Sequence, residues 1–270
     1  MIELKTPREI EEMKPAGRFV GGILKELQET TKVGTNLLEI DEFVHKKIVD
    51  RKGAESCYVD YAPDFGTGPF AHYICTSVND AVLHGVPYDY SLKDGDLVSL
   101  DLAISVDGWV ADSAVSFVVG KDPDPEDLRI IKCTEEALAA AIDVAKPGNR
   151  LGDISNTIGD VRARIRLPDS TSSSAVTAWA TSCTATRTCR TTAAAHHGYK
   201  LREGLVIAIE PSVPQDHRRD LQDRGRLDPA CLRRLARRPL RAHHRHHRER
   251  PDRLHRSHQP LIGVWRMVGA

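Results

Sequence analysis

No run of about 18 consecutive apolar residues occurs in the 270-residue chain, so no membrane-spanning helix is expected. Cysteine pairs at motif spacing are missing too. Cys57, Cys75, Cys133, Cys183, Cys189 and Cys231 are scattered without a CxxC, which argues against a zinc knuckle and against a disulfide framework. The start, MIELKTPREIEEMK, is charged and lacks the basic-then-apolar layout of a secretory signal, so a reducing cytoplasm is the expected compartment. At this length the chain can form one large domain or two small ones around a substantial core.

Net charge is absent only in the sum. Residues 1–160 hold 16 Lys and Arg against 29 Asp and Glu, and residues 161–270 hold 22 against 9. All five Phe lie in the first part and nine of the twelve His in the second. Such a split ordinarily signals an acidic domain joined to a basic, nucleic-acid-binding one. The texture of the basic part argues otherwise. From Arg162 to His197 the chain has no Gly and no Glu and is dominated by Arg, Ser, Thr and Ala. Ordinary protein returns with GYKLREGLVIAIEPSV at 198–213. From Pro214 to His258 there is Arg, His, Pro and Leu, no aromatic residue and no strand-length apolar run. A low-complexity basic tail looks like this, and so does a GC-rich gene read out of frame.

The first part is regular. Ile10, Met13, Phe19, Val20 and Leu24 recur at helical spacing after Thr6-Pro7, predicting a helix over 7–30. A second is expected over 36–51. Strands are expected over 73–78, 98–106 and 109–119, the last two joined at Gly108, and an apolar strand near 207–211. Helices are expected over 126–145 and from Leu151 onward.

Three residues carry chemistry. His84 stands in NDAVLHGVP, Asp101 in GDLVSLDLAISVDG, and Asp112 eleven residues on in GWVADSAVSF. A carboxylate in an otherwise apolar strand is expensive unless it is paired or metal-bound. Two on neighbouring antiparallel strands can converge within about 5 Å if they are opposed, a workable geometry for divalent ions. Taken singly, each aspartate reads as a turn or cap residue and His84 as a loop histidine. The whole string is more specific.

CTSVNDAVLHGVP followed by DGDLVSLDLAISVDGWVADSAVSF closely resembles the type I methionine aminopeptidases, and IAIEP at 207–211 matches a further motif of that family. The resemblance implies the pita-bread fold, an α/β (α+β) arrangement in which an antiparallel sheet is flanked by helices, here with an incomplete carboxyl half. It implies removal of the initiator methionine from nascent proteins by hydrolysis at two divalent metal ions (Co, Mn, Fe or Zn). By position, Asp101, Asp112 and Glu210 match metal ligands, with Asp112 bridging and Glu210 beside the attacking water. His84 matches the substrate histidine, and Cys75 a residue lining the methionine pocket, which Tyr58 or Tyr61 also lines. The implied partner is the amino terminus of a nascent polypeptide, met at the ribosome by a monomeric enzyme, with no membrane and no specific nucleic acid involved. Prolidases and proline-specific aminopeptidases share fold and ligand set, but CTSVNDAVLHGVP and the short amino-terminal region favour the methionine enzyme. A non-catalytic relative that binds ribosome or RNA through the Arg-rich tail is the reading from another class.

The resemblance breaks where the family's ligand histidine, its second catalytic histidine and its final ligand glutamate belong. His196 and His197 stand at the wrong place, and Asp107 and Glu203, each in a turn, are poor substitutes. A change of reading frame would explain all three losses. Codons for Val176 to Thr192, read one base out of register, can give Gly-His-Gly-Val-Gly-His-Val-Met-His-Gly-Asp-Pro-Asp-Val-Pro-Asn-Asp, with one histidine overlapping Thr177 and another Thr184. Residues 241–255, shifted the other way, can give Glu-His-Thr-Ile-Ala-Ile-Thr, the glutamate overlapping Arg241. The expected organisation is a catalytic domain over 1–213 with an aberrant stretch at 162–197, then an Arg/His-rich 214–270, out of frame and disordered. Three of five ligands remain, so little peptidase activity is expected of this polypeptide.

Overall fold

Helix starts are set by local side-chain chemistry. In the computed structural model, which describes residues 3–62, 68–79, 81, 83–164, 175–179, 186–190, 195–214, 261–263 and 266–269, Thr6 caps helix α1 (Pro7–Thr30). Its hydroxyl accepts the Glu9 amide at 3.3 Å while the Glu9 carboxylate accepts the Thr6 amide at 2.7 Å, which satisfies two otherwise unpaired donors. Pro7 occupies the first turn, where a missing N–H costs nothing. Asn36 and Glu39 repeat the device at α2 (Leu37–Asp50). Ala16, Val20, Ile23, Leu24 and Leu27 of α1, with Leu37, Ile40, Val44 and Ile48 of α2, are buried in one apolar cluster with Leu100, Leu102 and Ile104.

Those three leucine and isoleucine residues belong to the central hairpin. After the short β1 (Ala54–Ser56) and β2 (Cys75–Val78), strands β3 (Leu97–Val106) and β4 (Trp109–Val118) pair in unbroken antiparallel register from Leu97↔Val118 to Val106↔Trp109. Asp107 and Gly108 link them with φ of 53° and 84°, the left-handed pair that a two-residue hairpin loop requires. Strand alternation sends Leu100, Leu102 and Ile104 to the α1/α2 side and Asp101 and Ala103 to the other. Helices α3 (Pro125–Val144) and α4 (Leu151–Arg164) build a second cluster with Leu201, Leu205, Ile207 and Ile209.

The remaining strands are β5 (Ala175–Trp179), β6 (Thr186–Arg190), β7 (Val206–Glu210), β8 (Ser212–Pro214), β9 (Leu261–Gly263) and β10 (Arg266–Gly269). The main sheet runs β1-β3-β4-β10-β7-β5-β6, with β2 also on β3, and β8 pairs with β9. Its two halves meet at β10. That strand makes four residue pairs with β7 but a single one, Arg266↔Ser113, with β4. Beside this seam, under Met13, Gly17 and Gly21 of α1, lies a cavity of about 800 Å³ bounded by Val110–Ser113 and Val206.

Strands β5, β6, β9 and β10 stand where the composition offered no sign of order. AVTAW and TRTCR each carry two β-branched residues, and AVTAW a tryptophan besides, types suited to a pleated strand that the basic composition obscures. The strand expected from Tyr73 begins instead at Cys75. The expected disorder of 214–270 concerns residues that, between 215 and 260, lie outside the described ones. Among the described residues no helix is long and apolar enough to cross a membrane.

Candidate metal and substrate site

Sheet register assembles the site. Asp101 lies opposite Ala114 and Asp112 opposite Ala103, so the two aspartates share a face as diagonal neighbours rather than as the opposed pair expected. Cβ atoms so placed stand roughly 7 Å apart, within reach of each other's side chains. On the far side of β3, Cys75 is directly opposite Asp101. Across the seam, Arg266 pairs with both Ser113 and Ile209. Glu210, one residue beyond Ile209, therefore alternates onto the face that carries Asp112.

The face is largely buried, with Asp112, Glu210 and Tyr58 partly exposed. Asp101 is 8% exposed, and its Oδ1 accepts a hydrogen bond from the Tyr58 hydroxyl at 2.8 Å. Burial holds the Tyr58 phenol well above its ordinary range, and the Asp101 and Asp112 charges push it the same way. The Cys75 thiol, 1% exposed, is raised by burial first and by the same two aspartates next. Burial also drives the Asp112 carboxyl well above the usual carboxylate range, and Asp101 and Glu210 add to the shift. Carboxylates that repel one another in a dry site are held there by a cation or by protons.

Whether the residues fit a metal can be tested on the side chains. Asp112 Oδ1 is buried and has no hydrogen-bond partner, as a ligand atom awaiting a cation would be. The set is nevertheless incomplete. Among the described residues no group of three or more His, Cys, Asp or Glu could hold a metal ion. His196 and His197 are engaged elsewhere. The His196 amide donates to Asp153 Oδ1 at 2.7 Å and its ring lies 3.2 Å from the same atom, while His197 contacts the Ala195 carbonyl at 2.9 Å. Asp107 sits in the hairpin turn 3.8 Å from Arg51, and Glu203 is exposed in its own turn. The described residues do not make a dinuclear centre.

His84 is exposed on a loop with φ of 53°. Gly85 carries that loop back to β2: its carbonyl accepts the Thr76 amide at 2.7 Å, and its own amide donates to Ser77 Oγ at 3.2 Å. A Cβ at position 85 would run into the Thr76 carbonyl, so only glycine lets the backbone approach this closely. Of the two tyrosines expected near the pocket, Tyr58 reaches Asp101, whereas Tyr61 is 38% exposed. Sequence reasoning missed Phe70, whose ring stands edge-on to Tyr58 at 5.8 Å. It also missed the pair Asp41–His72 behind it at 2.7 Å. Phe70 was legible only as an aromatic five residues before Cys75. Nothing in the sequence tied Asp41, a helical residue, to position 72.

Comparison with known proteins agrees with this geometry. The model of metallopeptidase family M24 matches residues 11–226. The chain is 35% identical over 158 residues to the methionine aminopeptidase of Aquifex aeolicus, covering 58% of this chain and 60% of that protein. It is 38% identical over 159 residues, with the same coverage, to methionine aminopeptidase 1 of Bacillus subtilis. The chain thus spans about 60% of the length of the curated relatives it matches. Its structure superposes on the methionine aminopeptidase of Rickettsia prowazekii with a TM-score of 0.72 at 26% identity, covering 84% of this chain and 88% of the other. A prolidase from Pyrococcus furiosus, at 20% identity and a TM-score of 0.62, shares the fold alone. The antiparallel sheet with helices on its face is the pita-bread fold, and the family implies divalent metal. By its sequence from residue 11 to residue 226, and by the sheet face on which its carboxylates gather, the chain belongs to metallopeptidase family M24.

Proposed function

We propose that this chain is a methionine aminopeptidase whose catalytic centre is half built. Complete enzymes of the lineage would remove the initiator methionine from nascent proteins, acting in the cytoplasm, at or near the ribosome, as monomers. The observation that carries the reading is the shared face of Asp101, Asp112 and Glu210 beside Tyr58 and Cys75, together with the curated relatives named for that activity. In this chain Tyr58 orients Asp101 by its hydrogen bond, and Cys75 with Phe70 offers an apolar, polarisable wall suited to a thioether side chain. His84 would meet the substrate from the loop that Gly85 fastens. A pair of divalent ions, of Co, Mn, Fe or Zn type, would supply an activated water and polarise the scissile carbonyl. Asp101, Asp112 and Glu210 alone leave such a pair short of an imidazole and a bridging carboxylate.

The frame-change reading accounts for the shortfall, and the register supports it. Thr177, which overlaps a ligand histidine in the shifted reading, pairs with Ala208, two residues from Glu210 on β7. Sequencing the gene from codon 155 to the stop tests this, since codons incompatible with the shifted motifs would sink it. The activity test is turnover of a Met-Ala-Ser peptide by the purified, sequence-verified chain with Mn²⁺ or Co²⁺. No turnover above the metal blank is expected, and near-normal turnover would overturn the reading.

A further inference from the structure

The segment that leads into β2 is fastened from behind by one helix. Asp41 projects from α2, and its two oxygens are used separately. Oδ2 lies 2.7 Å from His72 Nδ1, and Oδ1 accepts the Tyr73 amide at 2.7 Å. A carboxylate only accepts, so the first contact requires the proton on Nδ1. One helical turn on, His45 stacks on the Tyr73 ring at 4.2 Å with the planes 14° apart. Asp41 and His72 are 13% and 25% exposed at their side chains, so solvent competes weakly for the pair. Directly before the clamp, Ala71 has φ of 60°, a left-handed conformation that a residue with a Cβ holds only when its surroundings enforce it. Directly in front, Phe70 meets His72 at 6.0 Å and Tyr58 at 5.8 Å, both edge-on. Tyr58 in turn donates to Asp101, the residue opposite Cys75. The contacts form one chain from α2 to the carboxylate face.

We propose that Asp41 is a positioning residue for the methionine-side pocket: through His72 and the Tyr73 amide it sets where Phe70 and Cys75 stand relative to Tyr58 and Asp101. This rests on the functional reading above for what the pocket holds, but not for the clamp itself. Asp41 is near enough to Cys75 for its charge to add to the upward push on the thiol. Asp41 holds residues 72 and 73 to α2 through both hydrogen bonds, and the His45 ring stack on Tyr73 adds an apolar contact to the same helix. Release would therefore let the strained turn at Ala71 relax and swing Phe70 off the Tyr58 edge.

Iodoacetamide alkylation of the full chain tests this, with Cys75 followed by mass spectrometry of its tryptic peptide. Cys133, a free thiol fully buried on α3, serves in the same sample as the report on global opening. Asp41→Ala is expected to speed Cys75 modification at least tenfold with Cys133 unchanged. Asp41→Asn should fall between, since its amide oxygen can still accept from Tyr73. His72→Phe should resemble Asp41→Asn, and His72→Asn, whose amide replaces the Nδ1 donor, should return within about twofold of the parent rate. Equal acceleration of both thiols, or none at Cys75, overturns the proposal. So does His72→Asn behaving as His72→Phe. Calorimetry with free methionine separates the two readings. If the parent chain takes up no methionine, the functional reading fails and Cys75 still judges the clamp. If it does, Asp41→Ala should weaken binding at least tenfold.

Discussion

The amino-terminal hairpin and the carboxyl-terminal strands belong to one sheet, yet they are built differently. Strands β3 and β4 pair along their whole length, and β3 is buried on both faces. Helix caps, turn residues and apolar periodicity all specify that same arrangement. Beyond α4, strands of four or five residues join the sheet in short registers. The chemistry divides along the same line. The candidate residues Asp101, Asp112, Cys75 and Tyr58 are supplied by the well-specified part, and among the described residues of the second half Glu210 joins their face. On the function proposed above, a site assembled from two sheet halves would keep its shape on one side while losing its reactivity on the other.

Restoring the reading frame breaks the contrast most directly. On the function proposed above, a gene recoded to give the shifted motifs at 176–187 and 241–247 should raise Met-Ala-Ser turnover with Mn²⁺ from the blank by more than about 10³-fold, since those motifs would supply the ligands for a metal-activated nucleophile. Next in size are paired core truncations, read by urea denaturation. Leu102→Ala, fully buried under α1 and α2, should destabilise by about 3–4 kcal/mol. Ile207→Ala, equally buried on β7, should cost about 2 kcal/mol, because the open seam beside it lets the site collapse. Equal losses would show that the halves are knit alike.

Most of the first part of the fold was readable because local and long-range signals coincide there. Thr6, Asn36 and the Asp107–Gly108 turn announce the elements that follow, and Leu100, Leu102 and Ile104 alternate with Asp101 in a way only a two-sided strand explains. The site was readable as far as Asp101, Asp112 and Glu210 standing on one face. It was not readable in the diagonal offset of the two aspartates, which depends on where the hairpin turns. The Asp41–His72 clamp was hidden because it is a helix-to-loop contact about thirty residues apart, and Phe70 because its contact with Tyr58 joins two irregular segments; no periodicity points to either. Strands β5 and β6 were hidden by a composition that mimics a basic tail.

Two smaller effects sharpen the comparison from the side of the intact half. Asp112→Asn should raise stability by about 1 kcal/mol at pH 8 in chelator, because it removes a buried, uncompensated charge. The sign follows from the raised carboxyl of Asp112. The folded state binds the proton more tightly than the unfolded chain, so stability falls as pH rises above about 4, the unfolded value. The advantage of the variant should therefore shrink to nothing toward pH 4, and a pH-independent gain would refute this account. Gly17→Ala on α1 should stabilise by about 0.5–1 kcal/mol, since a Cβ there meets nothing within 4 Å. A loss instead would mean that the space beneath α1 is filled in solution.

The single residue pair between β10 and β4 is the shortest tie in the main sheet. An unbroken ladder fixes the span between two of its strands as firmly as a ruler, and one stitch fixes it least. Asp112 and Glu210 stand on opposite sides of that stitch. A cation drawn to both would act as a latch, and its affinity would contain the work of closing the gap. Grip at the carboxylates and stiffness at the seam would then be one property measured in two places.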